Sequence, residues 1–330
     1  MSDRVSRRAA LLRGLAGAAG VAAAPAIAAA VKLSPHLDPH HVMTGGLPAG
    51  SGIDPQAFLT DFDYGQISRR AGGQTVRDYH ITAADRTIEV MPGVFYAAWA
   101  YNGRVPGPTL RATEGDLVRV HFTNAGTHEH TMHFHGFHAA GMDGVFEQVA
   151  PGGTFLYEFE ADPFGLQLYH CHTMPIKRHI AKGLYGAFII DPKRPRPPAH
   201  EMVMVMNGFD VNFDGKNEVY AVNTVPFAYQ AQPIVLKKGE LNRIYLVNVL
   251  EFDQLNSMHV HANFFHLFRT GTSLESHEFT DTISMGQGER HILEFTYRHE
   301  GKFMFHAHQS EFAELGWMGV FDVRGERVIA

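Results

Sequence analysis

Short runs in which apolar and polar residues alternate dominate the chain from Val76 onward. Val118-Arg-Val-His-Phe122 and Phe155-Leu-Tyr-Glu-Phe159 are two of them, and Gly, Asn and Asp turns separate one run from the next. Alternation of period two puts every second side chain on one face, so these runs predict half-buried strands. Asp191-Pro-Lys-Arg-Pro-Arg-Pro-Pro198 interrupts the pattern. Proline cannot donate to a ladder, and the segment reads as a linker. Strand-like runs resume at Met202–Met206, Ile234–Lys238 and Arg243–Asn248. The pattern predicts an all-β chain of two sandwiches of similar plan, residues 76–195 and 196–330.

The segment ahead of this pattern has a different character. Ser6-Arg7-Arg8-Ala-Ala-Leu11-Leu12 is followed by a run of small and apolar residues with no charge after Arg13, ending at Ala26-Ile27-Ala28. Residues 1–30 therefore read as an export signal, and the paired arginines resemble a twin-arginine signal, which implies a periplasmic or secreted protein. Residues 31–75, punctuated by Gly and Pro and holding His36, His40 and His41, read as an N-terminal extension. No later stretch is apolar enough to span a bilayer. Of the 330 residues, the formal net charge is −6; removing residues 1–30 takes away four Arg and one Asp and leaves −9. An acidic chain argues against nucleic acid as a partner.

Histidine is the compositional anomaly: there are 22, beside a single cysteine. One cysteine excludes an intrachain disulfide. The histidines are also patterned. His170-Cys171-His172 answers to His306-Ala307-His308, and Gly152, Glu158, Phe159 and Gly165 answer to Gly288, Glu294, Phe295 and Gly301 at the same offset of 136. Upstream, His130-Thr-Met-His133-Phe-His135 answers to Asn256-Ser-Met-His259-Val-His261. The chain thus carries an internal repeat with two His-x-His pairs in each half, and a thiol in the first half alone.

Strand geometry gives these pairs a chemical meaning. Leu166–His172 reads as a strand, so His170 and His172 share one face while Cys171 points the other way. One strand then serves two sites, with the backbone between them as a short covalent path for electrons. A thiolate with two imidazoles is the ligand set of a blue-copper electron-transfer site. Eight imidazoles in four pairs exceed what a zinc site needs.

The quartet of His-x-His motifs, one of them turned into His-Cys-His, resembles the multicopper oxidases, and the length resembles their two-domain, laccase-like members. That resemblance spans nearly all of the chain after the signal. It implies that each sandwich is a Greek-key cupredoxin domain and that four copper ions are bound per chain. Carried over by position, His130, Cys171 and His179 are implied as ligands of a type 1 copper. His133 and His259 are implied for a type 2 copper, and His135, His170, His172, His261, His306 and His308 for a type 3 pair. In the second half Asn256, Ala307 and Phe312 stand in the three type 1 places, and none is a copper ligand. At the axial position Leu184 stands where many relatives have Met, and Met174 near the strand end is the alternative. Asp143 stands where relatives carry an acidic residue beside the type 2 copper and is a candidate proton relay, with an Asp-Gly turn as the plain alternative. Glu311, three residues past His308, is a second candidate. His128 and His138 flank the motif without matching a ligand place.

The resemblance further implies one-electron oxidation of a small reducing substrate (phenols, aromatic amines or low-valent metal ions) coupled to reduction of dioxygen to water. It implies a homotrimer whose trinuclear sites are shared between chains. A copper nitrite reductase, also built from two cupredoxins, is the alternative; its catalytic copper needs only three histidines. A copper carrier would need the type 1 ligands alone.

Overall fold

The computed structural model describes residues 53–325. The signal segment and His36, His40 and His41 lie outside the described residues. Two cupredoxin-like β-sandwiches follow one another along the chain. In the first, one sheet runs in the order Gln66–Arg69, Thr75–Met91, Leu117–Asn124, Thr154–Glu160, with Val94–Tyr101 also paired to Thr75–Met91. The facing sheet runs Phe62–Asp63, Thr109–Thr113, Tyr185–Asp191, Gly165–His170, His133–Phe134. Most neighbours in a sheet are not neighbours in sequence, so the chain crosses repeatedly from one sheet to the other, as Greek-key connections do. The second sandwich repeats the plan: an inner sheet contains His200–Phe209, Asn242–Asn248, Arg290–Phe295 and Phe265–Arg269, and an outer sheet contains Ile234–Lys237, Met318–Arg324, Gly301–His306, Leu255–Val260 and Thr282–Gly286.

The segment read as an extension contributes to the first sandwich. Asp54 caps the helix Pro55–Thr60 by accepting from the Gln56 and Ala57 amides, and the strands Phe62–Asp63 and Gln66–Arg69 add an edge to each sheet. All four residues of Gln66–Arg69 are exposed, so this strand carries no apolar alternation to betray it.

Side-chain alternation along Gly165–His170 decides what the fold can do. Tyr169 and Cys171 point into the core of the first sandwich, with Phe134, Tyr157 and Phe188. Leu166 and Leu168 point the other way, into a separate core where Ala187 and Ile189 meet Val203, Val205, Tyr245, Val247 and Phe268 of the second sandwich. Each large aliphatic side chain buried there stabilises the junction by about 1.5–3 kcal/mol. The two halves are therefore packed against each other through the inner sheet of the second sandwich. Its outer sheet faces away from that junction.

The proline-rich linker is pinned as well. Arg111 bonds Asp191 before it at 2.8 Å and Glu201 after it at 2.7 Å, while Arg243 holds Glu201 at 2.9 Å and the Pro197 carbonyl at 2.7 Å. Arg196 donates to the carbonyls of Gly271 and Ser273, each at 2.7 Å.

Candidate metal centres

Three elements converge on Cys171: the bridge at His130, the end of strand Gly165–His170, and the short helix Ile176–Ala181 that carries His179. His130 and Cys171 are fully buried and His179 nearly so. Cys171 Sγ lies 3.2 Å from His179 Nδ1 and 3.9 Å from His130 Nδ1, and the two nitrogens are 3.3 Å apart. The point equidistant from these three atoms is about 2 Å from each, the length of a metal–imidazole bond. Burial, with His179 close to His130 and His128 close to both, pushes the two imidazoles down to about 4, so both are neutral ligands at neutral pH. The Thr131 amide donates to Cys171 Sγ at 3.4 Å. On its far side His130 Nε2 has no partner, and a Cβ added to Gly126 would come within 3.1 Å of it. Leu184 is buried in the same core as Cys171, while Met174 is 75% exposed.

On the opposite face of the strand, His133, His135 and His170 bring their ligand atoms within 4.8 Å of one another. His133 Nδ1–H donates to the Asp143 carbonyl at 2.8 Å and His170 Nδ1–H to the Cys171 carbonyl at 3.0 Å, which leaves each Nε2 facing inward. His172 joins them, its ring 5.3 Å from that of His133. The second sandwich repeats this arrangement atom for atom. His259, His261 and His306 form the second group; His259 donates to the Asp281 carbonyl at 3.0 Å, His306 to the Ala307 carbonyl at 2.6 Å, and His308 lies 5.5 Å from His259. The amides of His172 and His308 donate to Thr131 Oγ1 and Ser257 Oγ, matched positions of the repeat. Among the described residues no ligand group combines histidines of the two halves. The second group rides on the outer sheet, away from the junction.

One multicopper oxidase family model matches residues 82–195 and a second matches residues 195–327. The chain belongs to the multicopper oxidase family. A crystal structure of a multicopper oxidase is similar to it with 56% identity and a TM-score of 0.82, covering 83% of this chain and 98% of that one. A copper nitrite reductase from Nitrosomonas europaea is also similar in fold, with 26% identity and a TM-score of 0.69, covering 76% and 94%. A copper-containing nitrite reductase from Neisseria meningitidis serogroup A is 34% identical over 145 residues, 43% of this chain and 37% of the reductase. The chain thus matches little more than a third of that relative's length.

Copper fits the donors of this multicopper oxidase: a soft sulfur with two imidazoles in a buried triangle, and imidazole groups elsewhere. In the oxidase's second half, Asn256 and Ala307 are fully buried and Phe312 nearly so. Trp317, which the sequence comparison did not single out, fills the space, its indole N–H donating to Asn256 Oδ1 at 3.0 Å. An offset of 133, rather than 136, carries Gly183-Leu184-Tyr185-Gly186 onto Gly316-Trp317-Met318-Gly319 and is the signal that finds it.

Around the histidines, Asp143 Oδ1 lies 3.1 Å from His133 Nδ1 and 3.6 Å from His138 Nε2, so His138 belongs to the surroundings of this half-site. Asp281 takes the matching place beside His259, at 3.9 Å, and sequence spacing missed it. Glu311 is exposed on the helix Ser310–Glu314 and makes no hydrogen bond or ion pair to a histidine among the described residues. His128 lies against Trp99.

Proposed function

We propose that this multicopper oxidase takes electrons singly from a reducing substrate (a phenol, an aromatic amine or a low-valent metal ion) and uses them to reduce dioxygen to water. The observation that carries this reading is the pair of complete four-histidine half-sites, His133, His135, His170, His172 and His259, His261, His306, His308. A nitrite-reducing copper needs three imidazoles, and this chain has kept eight. In this reading His130, Cys171 and His179 hold the type 1 copper with Leu184 at the axial position. His133 and His259 hold the type 2 copper, and the other six histidines hold the type 3 pair. Copper supplies one-electron exchange at the buried triangle and multi-electron reduction of oxygen at the shared cluster. The chain supplies the rest. Cys171 and its neighbours His170 and His172 form one covalent path from site to site, and the Asp143 and Asp281 carboxylates stand next to His133 and His259, where they can pass protons inward.

Because the second histidine group lies on the outer sheet, across the second sandwich from the junction, and no ligand group among the described residues combines the two halves, a second copy closes each cluster in this reading. Exposed Phe137 and Phe146 near the first half-site, and Phe264 and Phe279 near the second, support such a contact. A head-to-tail contact of this kind closes into a ring, and three copies is the ring we propose. Export to the periplasm or outside the cell rests on the paired arginines and the apolar run that follows them.

A second reading, reduction of nitrite, is favoured by the similarity to copper nitrite reductases. Copper content separates the two: four ions per chain and oxygen consumption support the oxidase, whereas two ions per chain and nitrite consumption overturn it. Sharing of clusters is tested by mixing His133→Ala chains with His306→Ala chains. After subunit exchange about a quarter of random interfaces receive all eight histidines, so two inactive parents recover activity. No recovery despite proven exchange counts against shared sites.

A further inference from the structure

A cleft of about 280 Å³ lies beside the Cys171 centre, and Trp99 lines it. The indole is buried, in ring contact with both imidazoles of the centre: 5.2 Å from His130 and 4.7 Å from His179. No other side chain outside the centre makes ring contact with both among the described residues. Exposed His128 leans on the same indole at 4.6 Å, and the Arg178 guanidinium lies over it at 5.3 Å. Since His130 and His179 are themselves 0% and 3% exposed, a molecule in the cleft reaches the centre through Trp99. The indole is held in place, its backbone amide donating to the Lys182 carbonyl at 2.8 Å.

The charges of the cleft select what enters it. Its one carboxylate, Asp85, is committed to the Thr127 amide at 2.8 Å and hydroxyl at 3.2 Å. Lys182 is tethered to the Ala97 carbonyl at 2.6 Å. Arg86 and Arg178 form no ion pair among the described residues, which leaves two guanidinium groups beside an aromatic wall. A low-valent metal ion would meet Arg86, Arg178 and Lys182 and find one imidazole, His128, with no thiolate, thioether or free carboxylate beside it. An aromatic ring bearing a carboxylate would meet stacking surface and a forked donor for its anion.

We propose that the electron donor is a single-ring aromatic acid of the hydroxybenzoate kind, with its ring against Trp99 and His128 and its carboxylate on Arg178, and that the electron leaves through the indole. This rests on the oxidase reading for the direction of electron flow; binding in the cleft does not. In the step, the phenol loses one electron and its hydroxyl proton and becomes a phenoxyl radical. The proton would pass to water at the cleft mouth, and the copper that His130, Cys171 and His179 would hold would supply the one-electron acceptor.

Two titrations of the full-length, copper-loaded protein test the proposal, one with benzoate, which is not oxidised, and one with benzylammonium. Benzoate is expected to bind one site per chain by calorimetry and to compete with a hydroxybenzoate donor, more weakly as salt is raised, whereas benzylammonium does neither. Arg178→Glu should raise KM for the aromatic acid by roughly tenfold or more with a smaller change in kcat, and Arg178→Lys should restore most of it. Trp99→Leu should lower kcat more than KM, with the blue absorption confirming that the centre is intact. Unchanged benzoate affinity in Arg178→Glu overturns the site. Faster turnover of ferrous or cuprous ion than of the aromatic acid, without competition by benzoate, overturns the donor class. Benzoate binding as expected in a protein that consumes no oxygen with any of the donors supports the cleft and overturns the oxidase reading instead.

Discussion

Around Cys171 and around Ala307 the backbone follows the same path. The Cys171 amide donates to the Leu184 carbonyl at 3.0 Å and the Ala307 amide to the Trp317 carbonyl at 3.2 Å; the Leu184 amide donates to the His179 carbonyl at 3.3 Å and the Trp317 amide to the Phe312 carbonyl at 2.8 Å. What differs is the content. In the first sandwich a thiol and two imidazoles point at one place past an aliphatic side chain; in the second an indole occupies that place, bonded to Asn256, while Tyr220 stacks on Phe312 at 4.0 Å. Protein interiors are close-packed, so removing three ligands and an ion from a core leaves a void that some side chain must refill. The comparison teaches that a place without the thiol and imidazoles differs in its packing as much as in its donors, while the flanking histidines keep their arrangement on the opposite face.

The largest test of this comparison removes the thiolate. Cys171→Ser should bleach the blue absorption and lower oxidase activity by well over about a hundredfold, more than loss of any group beyond the ligands. The electron paramagnetic resonance signal of the type 2 copper should remain, and an unchanged visible band would remove Cys171 from the type 1 site. Rebuilding the second place sharpens the contrast. Asn256→His, Ala307→Cys and Phe312→His together should give no second blue centre while the indole remains, and adding Trp317→Leu should give one. Trp317→Ala alone should cost about 3–5 kcal/mol of stability in denaturant titration, the cost of a large buried aromatic. The smallest expected effect concerns the carboxylates. Asp143→Asn should slow oxygen reduction by roughly 10–100-fold, and Asp281→Asn by less, given its longer approach to its histidine. A larger loss from Asp281→Asn would reverse that ranking.

The alternation of short runs foretold most strands, and the repeat of His-x-His pairs foretold that the histidines gather in two matched groups, because both are local: period two fixes a side chain's face wherever the strand sits. Cys171 facing away from His170 and His172 follows from that rule alone. Contacts made across strands left no such trace. Asp281 reaches His259 because Leu255–Val260 pairs with Thr282–Gly286, opposing His259 to Thr282. Sequence spacing instead pointed to Glu311, three residues from His308, where a short helix carries it to the surface. Trp99 is far from the ligands in sequence and close to them only in the fold. Trp317 stands five residues past Phe312 as Leu184 stands five past His179, but spacing alone does not say that its indole turns to Asn256.

The pinned linker has a mechanical consequence. Arg111 bridges its two ends, Arg196 and Arg243 hold its middle, and a buried apolar seam joins the sandwiches behind it. A segment tied at both ends and in its middle is no hinge, so the two sandwiches of one chain hold a single mutual orientation.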